Sequence, residues 1–217
     1  MLDFKINAEI NSEEITLNDI DLKKINISSA TLFHLNISEC TFNQATLKRL
    51  TLYKAIMNNS HFFEAKLIKN SIEDSTIKHS FFSSSKFSNS NFFSTTFLNC
   101  NFEEAELLSC LFKKNEFTGC NFIAADFTNA LLNKVTFSNC DLSNANLSNT
   151  LLVETEFNNC NLEGVNFEHS HFLKVSFNNS KLGNNNFNFA QLNGDELDLH
   201  KAHLSGSTFK STTYRNI

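Results

Sequence analysis

The chain has 217 residues, 24 of them Phe, with no Pro, no Trp, five Gly and a formal charge of −5 from 18 basic and 23 acidic residues. That composition excludes collagen-like, Pro-rich and disulfide-knot classes, while 41% hydrophobic and 19% charged residues exclude a disordered tail and suffice for one core. No run approaches the roughly eighteen apolar residues of a membrane helix, so no membrane partner is expected.

The opening segment, MLDFKINAEINSEE, has neither a basic n-region nor an apolar h-region, and the expected location is cytoplasmic. Phe4, Ile6 and Ile10 alternate in strand fashion, and residues 1–14 are expected to form a short N-terminal cap over an exposed β edge. From Leu17 onward a period of five takes over. Stepping through Leu22, Ile27, Leu32, Ile37 and Phe42 to Leu197, all 37 positions are Leu, Ile, Phe or Met, and seventeen of the Phe residues fall in this class. Two residues before each lies a second class, in which 28 of 37 members are Ala, Cys, Ser, Thr or Val.

Such a period suits neither a helix nor a flat strand, whose buried faces recur every 3.6 and 2.0 residues. If residues i and i−2 both point inward and the chain turns a corner every five residues, four repeats close a square coil. Phe82 then lies between Phe62 and Phe102 in an interior column of rings, about 4.8 Å apart. Pro would remove an N–H from the ladders that join coil to coil, which accounts for its absence. All six cysteines, Cys40, Cys100, Cys110, Cys120, Cys140 and Cys160, fall in the small-residue class and read as interior filler. Zinc-type CxxC and CxxH spacings are absent, and neither His169 with His171 nor His200 with His203 has a carboxylate or Cys at ligand spacing, so no metal or cofactor is expected.

Motifs such as CNFIA ADFTN ALLNK VTFSN CDLSN ANLSN match the A(D/N)LXX consensus and resemble pentapeptide-repeat proteins. The resemblance covers nearly the whole chain and implies an all-β, right-handed quadrilateral β-helix of about nine coils. The continuous solenoid is expected over 15–199. The phase then slips by two: Leu204, Phe209 and Tyr214 follow Leu197, each preceded by Ala202, Ser207 and Thr212, so 200–217 form phase-shifted terminal repeats. The turn-rich Asn193, Gly194, Asp195, Glu196 stretch is the expected bulge.

Outward positions recur every twenty residues. Asn59, Asn99, Asn139, Asn159 and Asn179 share one column, where amides are expected to hydrogen-bond along the stack. Leu111, Leu131 and Leu151 share another, with Val153 and Leu173 nearby and Lys114, Lys134 and Lys174 beside them. An apolar strip of this kind marks a contact surface, or is an aliphatic ladder covered by lysine stems. Residues 1–98 carry ten acids and ten bases, and 99–217 carry thirteen acids and eight bases. Asp141, Glu154, Glu156, Glu163, Glu168, Asp195 and Glu196 form the acidic candidate surface, which would repel nucleic acid and attract proteins that normally bind it.

No nucleophile elbow, Walker loop or GxGxxG is present, and β-helical walls without loops offer no pocket for a small ligand, so enzymatic activity is not expected. Two functional readings follow. The chain resembles the Qnr and MfpA-like quinolone-resistance branch, whose members are dimeric rods that bind DNA gyrase or topoisomerase IV. That likeness implies a DNA mimic conferring quinolone or toxin resistance through the acidic surface. The alternative is a scaffold or effector that docks a protein through Leu111, Leu131, Leu151, Val153 and Leu173.

Overall fold

The computed structural model describes residues 3–4, 9–10, 14–193, 197–199 and 202–215. A corner every five residues winds the chain into a four-sided parallel β-solenoid, and no helix occurs among the described residues. We number the faces by their inward residue in one coil: face I on Ile27, face II on Leu32, face III on Ile37 and face IV on Phe42. Face II is an eleven-stranded parallel sheet and face III a ten-stranded one. Face I starts as a four-stranded sheet through Asn26–Ser28, Thr46–Lys48 and Lys66–Ile68, then continues as single bridges from Lys66↔Lys86 to Asn186↔Thr208. Face IV consists of bridges from Asp21↔Thr41 to Lys181↔His203.

The corners explain the period. Every fifth residue from Asp19 to Phe189 has a positive φ, for example Gln44 at 59°, Asn99 at 51° and Asn139 at 54°. Left-handed residues of this kind are costly except for Gly and, less so, Asn or Asp, and the solenoid places one at every corner. On the bridged faces a hydrogen-bonded turn tightens the bend, as in Ala45 N–H to Phe42 O at 3.0 Å and Ala125 N–H to Phe122 O at 3.0 Å. Ladder bonds then tie coil to coil: around one repeat Asn121 N–H reaches Cys100 O, Phe122 N–H reaches Asp141 O and Ala124 N–H reaches Ser143 O, at 3.0, 2.6 and 3.0 Å.

Inside, the ring columns form as the period requires. Phe42, Phe62, Phe82, Phe102 and Phe122 stack on face IV with centroids 4.8–4.9 Å apart. Phe97, Phe117, Phe137, Phe157 and Phe177 stack on face III at 4.6–5.0 Å. Neighbouring columns meet edge to face, as in Phe117 and Phe122 at 5.2 Å and 81°. Both geometries suit the ring quadrupole. Toward the N-terminus Leu, Ile and Met replace Phe in the columns, and an apolar space of about 180 Å³ remains there, bordered by Leu32, Ile37, Leu47, Met57 and Ile72 among others.

The small-residue class does more than fill space. Its polar members satisfy buried N–H groups of the coil below: Ser60 Oγ accepts from Cys40 N–H, Asn70 Oδ1 from Leu50 N–H and Asn185 Oδ1 from Val165 N–H, at 3.2, 2.9 and 2.8 Å. Ser90 and Thr155 donate in turn to Leu67 O and Leu132 O. An unpaired buried N–H costs about 1–3 kcal/mol, so hydroxyls are tolerated in this apolar interior because they carry such bonds.

The ends depart from the regular register. Asp3–Phe4 and Glu9–Ile10 extend faces I and II, but pair with Asn26 and Thr31, 23 and 22 residues away, where the period requires 20. Ile6, also read as part of the N-terminal cap, lies outside the described residues. At the other end His171↔Gln191 keeps the 20-residue step, whereas Val175↔Leu197 and Gln191↔Thr213 are 22 apart. The slip is therefore complete before Leu197, which sits in the small-residue column opposite Val175, not in the large-residue class to which its spacing assigned it. Gly194, Asp195 and Glu196 of the expected bulge, and His200, lie outside the described residues.

Candidate binding faces

On face II the inward register places Leu111, Leu131 and Leu151 directly over one another on the outside, with His171 next in line. Val153 pairs with Leu173 in the adjoining outward column. Leu151 and Leu173 are 37% and 39% exposed, and Leu111, Leu131 and Val153 are half-buried. The five residues form one continuous patch because face II is strictly in register across these coils. Lys114, Lys134 and Lys174 occupy the left-handed corner beside it, and Lys134 Nζ lies 3.4 Å from Glu154 in the same corner column. The patch is thus an aliphatic strip with a mainly cationic border.

Residues 110–187 match the family described as "Pentapeptide repeat region". This stretch is thus a pentapeptide-repeat region, within a solenoid that runs on in the same register to either side. No curated protein matches it significantly in sequence. Among solved structures the solenoid is similar to HetL, a pentapeptide repeat protein involved in heterocyst differentiation regulation from the cyanobacterium Nostoc sp. strain PCC 7120. The identity is 18% and the TM-score 0.68, over 92% of this chain and 89% of that one. It is also similar to a trypsin-treated variant of QnrB1, a plasmid-mediated fluoroquinolone resistance protein, at 14% identity and a TM-score of 0.53, over 88% and 90% of the two chains. At these identities the likeness is one of fold.

The four-sided geometry distributes the acidic candidates around the rod. Asp141 and Glu163 project from face IV, Glu156 from face III and Glu168 from face I, while Glu154 sits at the corner between faces II and III. Asp195 and Glu196 lie outside the described residues. Face III comes nearest to an acidic line, with Glu116, Glu156 and Asp198 in one column and Thr136 and Ser176 between them. Its acids therefore recur at every second coil, about 10 Å apart at the spacing of a β ladder.

The shared Asn column is not an amide ladder. Asn59, Asn99, Asn139, Asn159 and Asn179 all occupy left-handed corners, with φ between 46° and 55°. Asn recurs there because it tolerates that conformation. Amide bonds along the rod run elsewhere, from Asn186 to Asn166 to Asn146 on face I at 3.0 and 3.2 Å and from Asn178 to Asn158 on face III at 3.0 Å.

All six cysteines are buried free thiols. Cys100, Cys120, Cys140 and Cys160 follow one another up a single interior corner and donate to backbone carbonyls, as in Cys160 Sγ to Phe137 O at 3.4 Å. Burial pushes the Cys110 thiol up to about 12, and Cys120 and Cys160 are raised by their hydrogen-bonded thiol neighbours and by burial. The same thiol hydrogen bonds lower their partners Cys100 and Cys140, whereas Cys110, Cys120 and Cys160 are packing groups with little thiolate character. His169 stacks on Phe189 at 4.9 Å, while His171 projects from face II. Among the described residues no three His, Cys, Asp or Glu side chains converge in a way that could hold a metal.

Two features escaped the half-chain charge count. Lys48, Arg49, Lys66, Lys69 and Lys86 all project from face I or its corner within three coils. On face IV, Phe63 and Phe81 are each 44% exposed, and Phe81 stacks on His61 at 4.8 Å. Reading outward residues at a period of twenty through the first half would have found both.

Proposed function

We propose that this protein is a non-enzymatic binding rod whose aliphatic strip on face II docks a protein partner. The observation that carries this reading is the unbroken register of Leu111, Leu131 and Leu151, extended by Val153 and Leu173. The lysine border selects the partner's chemistry: an apolar segment flanked by carboxylates, which would pair with Lys114 while its apolar residues cover the leucines. Leu131→Glu puts a charge in the middle of this strip and leaves the inward Leu132 untouched. Binding of a partner captured by the full chain should fall at least about a hundredfold, because a carboxylate would be buried unpaired, while circular dichroism and the melting temperature stay near wild type. Unchanged partner binding by Leu131→Glu would remove the strip as the site.

A second reading is protection of DNA gyrase or topoisomerase IV by DNA mimicry, without direct nucleic-acid binding. It is favoured by the acid excess of residues 99–217 and by the face III column of Glu116, Glu156 and Asp198. Acids about 10 Å apart are sparse beside a duplex, which carries roughly one phosphate per 3.4 Å of axis on each strand. The docking strip therefore ranks first. Under the mimic reading, the purified protein added to gyrase should preserve supercoiling in the presence of a fluoroquinolone, and Glu116→Lys with Glu156→Lys should abolish the effect. No change in supercoiling or in drug-stabilised cleavage at saturating protein would dismiss it.

A further inference from the structure

We propose that face I pairs with face I of a second copy of this chain, the two rods antiparallel about a two-fold axis between the coils of Lys86 and Glu106. One outward column carries the argument. It runs Thr46, Lys66, Lys86, Glu106, Asp126, Asn146, each bridged to the next in register. Lys66 thus neighbours Lys86 and Glu106 neighbours Asp126 at the ladder spacing of about 4.8 Å, an arrangement that is unfavourable within one rod. The single junction of opposite charge is closed by Lys86 Nζ and Glu106 Oε1 at 2.6 Å. Among the described residues Lys66, Lys69, Lys48 and Arg49 make no salt bridge. Asp126 Oδ1 is occupied by the N–H and hydroxyl of Thr128, which leaves Oδ2 available.

An antiparallel copy resolves the column. A two-fold axis lying in the interface and across the rods keeps each lateral column facing itself and reverses its direction. Lys86 then faces Glu106 of the partner subunit and Lys66 faces Asp126 of the partner subunit, while Thr46 faces Asn146 of the partner subunit. In the adjoining column of the same face, half-buried Ile68 and Leu108 each come within one coil of Leu108 of the partner subunit. Other registers fail. A slide of one coil sets Lys86 or Glu106 against its own copy, and a parallel pairing about an axis over this column sets every charge against its like. The block order of two lysines followed by two carboxylates selects one register and one direction. Face II remains free, so this pairing and the docking strip stand or fall separately.

Charge reversal tests it on the full chain by sedimentation equilibrium. Wild type should shift from 24.6 kDa toward twice that mass with concentration. Its dimer should weaken about tenfold as salt shortens the Debye length from roughly 10 Å at 0.1 M to roughly 3 Å at 1 M. Lys66→Glu and Asp126→Lys should each weaken the dimer by about tenfold or more, since the symmetry breaks two contacts per substitution. The double variant should return to within about threefold of wild type, because both cross-axis pairs re-form with signs exchanged. Damage to the Asp126–Thr128 turn could not be rescued by Lys66→Glu, and melting curves of the single variants verify folding. A wild type that stays monomeric at low salt, singles that dimerise normally, or a double variant that is not rescued each overturns the proposal. So does a monomer that uses Lys48, Arg49, Lys66 and Lys69 to retain a single-stranded oligonucleotide, which would assign face I to a polyanion.

Discussion

Phe122→Ala is expected to lower the unfolding free energy by about 3–5 kcal/mol, the range for a large aromatic removed from a packed core. The ring is fully buried and lies 4.8 Å from Phe102, 5.2 Å from Phe117, 5.4 Å from Phe127 and 5.8 Å from Phe137. Stacked and edge-to-face partners each add about 0.5–1.5 kcal/mol beyond area burial, and Ala would forfeit them together. Relaxation offers little relief, since the backbone on either side is fixed by Phe122 N–H to Asp141 O and Phe102 N–H to Asn121 O at 2.6 and 2.7 Å. Phe122→Leu keeps much of the volume, and Leu142 already occupies the same column two coils from Phe102; its loss should stay near 1–1.5 kcal/mol, about the upper end for apolar exchanges of similar size. Urea titration followed by circular dichroism provides the comparison. Because each coil contacts only its neighbours, the alanine variant should also unfold less cooperatively, with a lower m-value. A loss below about 1 kcal/mol for Phe122→Ala would mean that the ring columns do not hold the rod together.

The sequence makes the interior legible because it is one-dimensional. One apolar residue and one small residue in every five, repeated without interruption, leave a single way to turn the chain, and the Phe42 to Phe122 stack follows from spacing alone. Legibility ends where one residue type can serve two purposes. Leu197 fits the large class by spacing, yet two additional residues before it move it opposite Val175. Asn139 suits an amide ladder by column, yet its φ of 54° gives it a different task. The outer surface was harder still. A count over half a chain averages four faces, so a neutral first half conceals the five bases of face I and an acidic second half conceals acids that point in several directions. Faces, not segments, are the units in which a solenoid presents charge.

Asn139→Pro is expected to be the most damaging single substitution in the regular coils, costing well over about 3 kcal/mol. Two requirements fail together. Asn139 has a φ of +54°, whereas the pyrrolidine ring holds φ near −65°, so the corner cannot form. Its N–H also donates to Asn158 O at 2.9 Å, a rung between successive coils that Pro cannot supply. This sharpens the meaning of a Pro-free chain: beyond the ladder bonds, one residue in five must be left-handed, and those corners exclude Pro by conformation. Asn139→Gly separates the two causes. It keeps the N–H and accepts the positive φ, as Gly119 does at 63° in the same column, so its stability should remain within about 1 kcal/mol of wild type. Asn139→Val keeps the N–H but strains a β-branched side chain at the left-handed corner, with an intermediate loss of about 1–2 kcal/mol. The order Gly, Val, Pro should appear in thermal melts, and protection from amide exchange in the Pro variant should fall first in the coils of Gly119, Asn139 and Asn159. A proline variant as stable as the glycine one would show that the corner at Asn139 is not left-handed in solution.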